Sequence, residues 1–275
     1  MRLGAHLGTR GGLRSAAQEA RAVGAEVVQL FLSNPRAWAG PRVETAERFG
    51  AEWREVGVGP FYVHAPYLVN IASPNPGFHT KSLELVARSV AACEVAGATG
   101  FVVHAGAGGP GEPAAAIERA AAILQAILDE TPEETRLLVE LMAGTSGAVA
   151  STLAEARALF DVVGDERLGL CLDTCHLFAA GYGLDDAEGV AACFDELHDL
   201  GLDERLALVH ANDAKHPRGS HRDRHERIGE GHIGAEGFGE VLHRPEVRDL
   251  DLVLETPADL EQRTRELAML RRLAT

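Results

Sequence analysis

The sequence predicts a single (β/α)8 barrel. Eight short apolar runs recur along the 275 residues, each with the length and composition of a parallel strand buried on both faces. Helical patterns separate the runs. No linker or low-complexity tract divides the chain, so one barrel domain is expected over 1–275. A doubly wound open sheet is the alternative for the same alternation.

The first strand is RLGAH at 2–6, followed by an Ala-rich helix from Ser15 to Val23. VVQLFL at 27–32 is the second strand, and Val43 to Val56 is a helix with its charges spaced for one face. PFYVHA at 60–65 leads to a helix from Lys81 to Ala96, which Gly97 stops. GFVVHA at 100–105 leads to a helix opened by Pro113, where the missing N–H of proline costs nothing. RLLVEL at 136–141 precedes TLAEARALFDVV, which Ser151 or Thr152 caps. LGLCLD at 168–173, LALVHA at 206–211 and DLVLET at 251–256 complete the strands. Their helices are expected over 187–200, 236–243 and 259–273.

Composition narrows the function. The formal net charge of −15 argues against casual nucleic-acid binding, so any such activity needs a local reversal of charge. A hydrophobic content of 46% excludes wholesale disorder. No apolar run reaches the roughly 18 residues of a membrane-spanning helix. The start, MRLGAHLGTRGGL, lacks the apolar core of a signal peptide. Cys93, Cys171, Cys175 and Cys193 lie in apolar or helical stretches without disulfide-like spacing. A reduced, cytoplasmic setting is therefore expected.

Barrel enzymes build their sites at the C-terminal ends of the strands. Here the third to eighth strands end at His64, His104, Glu140, Asp173, His210 and Glu255. One alone reads as a hydrogen-bonded, partly buried polar residue; six in succession at one mouth do not. Carboxylates and imidazoles that converge in a low-dielectric pocket need a cation to join them. A mixed N/O donor set suits Zn2+ or Mn2+, and no thiolate set points to a purely structural zinc. Cys175, in DTCH, is the one thiol near the mouth and is read as packed.

A second group follows in the loops. His176 stands three residues after Asp173, and Asp223 and His225 are two apart in NDAKHPRGSHRDRHERIGEG. Alternation puts i and i+2 on one side of an extended segment, so these three form a separate triad. His216, His221 and His232 are read as solvated or as supporting groups. Three divalent ions on these nine donors would leave the site net positive even with a bridging hydroxide. Such a site clamps a phosphate and makes a nucleophile at neutral pH. Lys215, Arg218, Arg222, Arg224 and Arg227 are expected to extend a positive rim.

HAPYLVNIASP (64–74), FVVHAGAG (101–108), LGLCLDTCHLFAAGYGL (168–184) and LVHANDAK (208–215) resemble motifs of the endonuclease IV family. DRHERIGEGHIG (223–234), LVLETP (252–257) and FLSNPRAW (31–38) do so as well. The resemblance implies a xylose-isomerase-like TIM barrel with three Zn2+ per chain, Mn2+ being possible in one site. It implies one zinc on His64, His104 and Glu140. Glu140, as a catalytic bridge, would share a second with Asp173, His210 and Glu255. The third falls to His176, Asp223 and His225. The implied partner is duplex DNA containing abasic sites or blocked 3′ ends, in base excision repair by a monomer. The implied cut is 5′ to the abasic site and leaves a 3′-hydroxyl and a 5′-deoxyribose phosphate. By resemblance, Arg36, Tyr67 and Leu68 fill the gap left by the extruded nucleotide. An aromatic just past a strand-end ligand is a sensible wedge.

Two departures stand out. Leu141 and Met142 replace a polar pair, which removes hydrogen bonds expected to support Glu140. Ser33 stands where the family commonly has Lys, which weakens one phosphate contact. Two alternatives use the same barrel. A sugar isomerase or epimerase would hold one divalent ion on Glu140, Asp173, His210 and Glu255. A non-catalytic DNA-damage binder would gain little from the full ligand set.

Overall fold

Parallel strands pair edge to edge until the last meets the first, so the computed structural model, which describes residues 1–109, 111–132 and 136–275, contains a closed barrel. Its strands are β1 (Arg2–His6), β2 (Val27–Leu30), β3 (Phe61–His64), β4 (Gly100–His104), β5 (Leu137–Glu140), β6 (Leu168–Asp173) and β7 (Leu206–His210). The short antiparallel pair β8 (Asp213–Ala214) and β9 (His225–Glu226) lies outside the barrel, and β10 (Asp251–Leu254) closes it. Pairing of β1 with β10, Arg2 to Asp251 through Ala5 to Leu254, excludes the open sheet.

The helices are α1 (Leu13–Val23), α2 (Val43–Val56), α3 (Pro76–Ala96), α4 (Pro113–Glu130) and α5 (Leu153–Val163). They continue with α6 (Thr174–Ala180), α7 (Ala187–Asp199), α8 (Gly234–Leu242) and α9 (Leu260–Leu273). Helix α3 begins at Pro76, earlier than the expected Lys81. The Asn75 side chain accepts from the Phe78 N–H at 3.1 Å and Pro76 takes the first turn. It ends as expected at Gly97, whose φ of 75° is left-handed. Thr152, not Ser151, caps α5, in a reciprocal pair with Glu155. Helix α6 was not expected; Asp173 nucleates it by accepting from the His176 N–H at 2.9 Å. Among the described residues, no helix is long and apolar enough to cross a membrane.

Apolar side chains pack in two places. The larger core fills the space between barrel and helices. A smaller one, Val27, Tyr62, Val102, Leu138, Cys171, Leu208 and Val253, fills the barrel interior. In a strand, i and i+2 share a face. Two residues beyond each interior residue stand Gln29, His64, His104, Glu140, Asp173, His210 and Glu255. Gly4 and His6 hold the equivalent places in β1. An apolar tier thus carries a polar tier of eight at the C-terminal mouth. A Cβ on Gly4 would lie 1.6 Å from the Val27 carbonyl oxygen, so only glycine lets β1 and β2 approach there.

Candidate metal centre

Above the polar tier opens a cavity of about 330 Å³, walled further by Phe31, Tyr67, Thr256 and Arg263. Glu140, fully buried, sits at its base. One carboxylate oxygen, Oε2, is 2.9 Å from His64 Nε2 and 3.1 Å from His104 Nε2. The other, Oε1, is 3.1 Å from His210 Nδ1, which lies 3.3 Å from Glu255 Oε2. Asp223 Oδ1 stands 3.3 Å from His176 Nε2 and 3.3 Å from His225 Nε2. The imidazoles of His210, His64, His104, His176 and His225 follow one another with centroids 6.0, 5.0, 5.9 and 5.7 Å apart.

Strand ends deliver six of these nine side chains. The first turn of α6 delivers His176, and β9 delivers His225 with Asp223 beside it. Asp213 holds that loop in place. Buried at the start of β8, it accepts from the N–H groups of Ala214, Gly229, Gly231 and Ile233 at 2.8–3.1 Å. Asn212 ties Asp173 to β10, donating to Asp173 Oδ2 at 2.7 Å and accepting from the Glu255 N–H at 2.7 Å.

The histidines are aimed by their second nitrogen. Nδ1 of His64 donates to the Ala65 carbonyl at 2.8 Å, that of His176 to the Leu141 carbonyl at 2.7 Å, and that of His225 to the Glu255 carbonyl at 3.3 Å. Each leaves Nε2 as the atom that faces the cluster, open to a metal once its proton is displaced. The apolar Leu141 therefore does support the centre, through its backbone, which no side-chain replacement removes. Its side chain is buried in the main core.

Electrostatics point the same way. Burial alone would raise Glu140, yet the charges of His104 and His210 hold it well below the usual carboxylate range. Burial pulls His176 and His225 down, but the nearby carboxylates of Asp173 and Asp223 push them up to about 10 and about 9. Asp223 is held far below its ordinary value, against its own burial, by His176 and His225. Protons stand here where cations would be stable.

Four buried polar atoms in this cluster lack a hydrogen-bond partner: Glu140 Oε1, His176 Nε2, His210 Nδ1 and His225 Nε2. Unpartnered buried polar atoms are costly, and a bound cation removes that cost. Donor atoms of His64, His104 and Glu140 lie within 4.8 Å of one another, as do those of Glu140, Asp173, His210 and Glu255, and those of His176, Asp223 and His225. The residues fit a divalent metal with N/O preference. Asp173, Cys175 and His225 also fall within that distance. Burial pushes the Cys175 thiol up, however, and its Sγ points to the Arg224 carbonyl at 3.6 Å, so it is packed as expected.

Arg36, Tyr67 and Leu68 lie together at one rim. The Tyr67 N–H donates to the Pro35 carbonyl at 3.0 Å, which joins the two loops. Tyr67 is 62% exposed, and its ring meets Phe31 edge-on with centroids 5.1 Å apart. Arg36 is exposed and Leu68 half-buried. The opposite rim is less positive than expected. Lys215 pairs with Glu226 at 3.6 Å, Arg218 with Asp185 at 3.6 Å, and Arg227 with Glu230. Arg222 and Arg224 are exposed.

Sequence reasoning missed His6, Gln29, Asn212 and Asp213. His6 and Gln29 both contact Glu255 Oε1, at 3.1 and 2.6 Å. Their signal was a polar residue two places beyond an interior position in β1 and β2.

Comparison with known proteins agrees with the geometry. The family model described as a xylose isomerase-like TIM barrel matches residues 17–273. A probable endonuclease 4 of Methanoculleus marisnigri is 39% identical over 278 residues, covering 99% of this chain and 98% of the relative. One from Streptomyces coelicolor is 38% identical, covering 98% and 94%. The crystal structure of endonuclease IV from Thermus thermophilus superposes with a TM-score of 0.83 at 31% identity, covering 99% and 98%. A 3-keto-D-glucoside 4-epimerase from E. coli, at 20% identity and a TM-score of 0.74, shares the fold alone. With a family model over most of its length and full-length relatives above 30% identity, the chain belongs to the endonuclease IV family of TIM-barrel nucleases.

Proposed function

We propose that the chain hydrolyses the phosphodiester bond 5′ to an abasic site in duplex DNA, leaving a 3′-hydroxyl and a 5′-deoxyribose phosphate, and that it trims blocked 3′ ends. The observation that carries this reading is the set of four buried, unpartnered donor atoms at the barrel mouth, next to an exposed aromatic and arginine. His64, His104 and Glu140 would hold one zinc. Glu140, Asp173, His210 and Glu255 would hold a second, and His176, Asp223 and His225 a third, with Mn2+ able to replace zinc in one site. When bound, such ions clamp a phosphate and supply an activated water at neutral pH.

The protein's own groups do the rest. Glu140 fixes the spacing of the first two sites, because its two oxygens face different histidines. Asp213 and the α6 cap keep the third donor set over the first two. Arg36, Tyr67 and Leu68 would fill the gap left by the extruded nucleotide. The rim ion pairs are solvent-exposed and worth little, so Lys215, Arg218 and Arg227 are free to exchange carboxylate partners for phosphates.

A one-metal epimerase would use Glu140, Asp173, His210 and Glu255 but leaves His176, Asp223 and His225 without a task. Elemental analysis separates the two. About three transition-metal ions per chain is the expected result. A value near one, with epimerisation of a ketose, would overturn the proposal.

A further inference from the structure

Three histidines of the centre are oriented by backbone carbonyls; His210 is oriented by a side chain. Its Nε2 lies 2.9 Å from Gln29 Oε1, and both residues are fully buried. The other end of the same amide, Nε2, lies 2.6 Å from Glu255 Oε1. Chemistry fixes the direction of both bonds. The amide nitrogen is a donor and a carboxylate oxygen an acceptor, so the nitrogen faces Glu255. The amide oxygen then faces His210 and only accepts, so His210 donates from Nε2. That leaves Nδ1 as the atom facing the shared site, where a metal would take the place of its proton; it is one of the unpartnered buried atoms, 3.1 Å from Glu140 Oε1 and 3.3 Å from Glu255 Oε2.

We propose that Gln29 is a positioning residue of the centre: its amide sets the tautomer of His210 and the rotation of Glu255 in one step. The proposal rests on the metal reading above. With Oε1 of Glu255 occupied by the Gln29 amide and by His6 at 3.1 Å, only Oε2 is left for the shared site with His210. Gln29 touches neither substrate nor the His176–Asp223–His225 group. Its loss therefore acts on one metal site of the three. Groups that orient ligands in this way typically change metal affinity by about 10–100-fold when removed.

The test is metal release from the loaded enzyme into a chromogenic chelator, followed in wild type and Gln29→Met. Gln29→Met keeps the length of the side chain and removes its contacts with His210, Glu255 and His6 Nδ1, the last at 3.1 Å. In Gln29→Met, one metal equivalent should leave about 10–100-fold faster while the others keep their wild-type rates. The KM for an abasic duplex should stay within about threefold while kcat falls. Thermal melting of the metal-free proteins should show Gln29→Met folded as wild type. Wild-type rates for every equivalent in Gln29→Met would overturn the proposal. Equal acceleration of all equivalents, or a metal-free Gln29→Met that is unfolded, would do the same. A wild-type enzyme that binds no transition metal would instead overturn the functional reading on which it stands.

Discussion

Asp223 Oδ1 reaches His176 Nε2 at 3.3 Å, joining the loop before β9 to the first turn of α6. Neither residue belongs to a barrel strand, so this contact adds a second donor group to the one the strand ends make. Asp223→Ala should remove one metal equivalent and leave about two. Affinity at that site should fall by more than the roughly 10–100-fold typical of a group that merely orients a ligand. Metal content of the purified variant checks this; an unchanged content would remove Asp223 from the ligand set.

Glu140 faces two donor groups with two oxygens. Glu140→Gln keeps the shape and removes the charge that offsets two cations. The barrel should persist, because the tier beneath Glu140 is apolar and independent of it. Turnover should fall by about two orders of magnitude or more, since Glu140 would be shared by two metal sites and its charge would offset both. Steady-state cleavage rates beside a circular dichroism spectrum are the readout. Cleavage within about threefold of wild type would contradict the bridging role.

Much of this centre is legible in the sequence. Parallel strands are apolar throughout, so a charged or imidazole residue at a strand end is conspicuous. Six such ends, from His64 to Glu255, were found that way. Gln29 and His6 were not, although they complete the same tier. Gln29 is neutral and sits inside VVQLFL rather than at its end, and His6 was one isolated polar residue. Helix α6 escaped because its cap is Asp173, already assigned to a strand end. The pairing of Arg218 was not legible because its partner Asp185 lies outside the loop that carries it.

Tyr67 separates recognition from chemistry. Its ring is exposed and touches Phe31, and no proposed ligand depends on it. Base–aromatic stacking contributes roughly 1–3 kcal/mol. Tyr67→Ala should therefore weaken binding of an abasic duplex by about one to two powers of ten with metal content unchanged. The loss should shrink on a gapped substrate, where the stack is already broken. Equal losses on both substrates in a binding titration would make Tyr67 a general rim contact.

In the metal-free protein, His176 and His225 are raised from the ordinary value of 6.5 to about 10 and about 9. A raised histidine stabilises the fold fully below its unfolded value and loses that contribution as pH rises through its folded value. Metal-free protein should thus lose melting temperature between about pH 6.5 and 10, over the range these two shifts define. Metal must displace the same protons, so affinity should rise with pH and loading near pH 7.5 should release protons into a weakly buffered solution. Loading without proton release would place the metal elsewhere.

Incision of a duplex carrying a single tetrahydrofuran abasic analogue tests the proposed activity itself. One cut on the 5′ side of the analogue is expected, with a 3′-hydroxyl that a polymerase extends, loss of cutting with a strong chelator, and no restoration by Mg2+ alone. An intact duplex under conditions where the protein carries its full metal complement would contradict it.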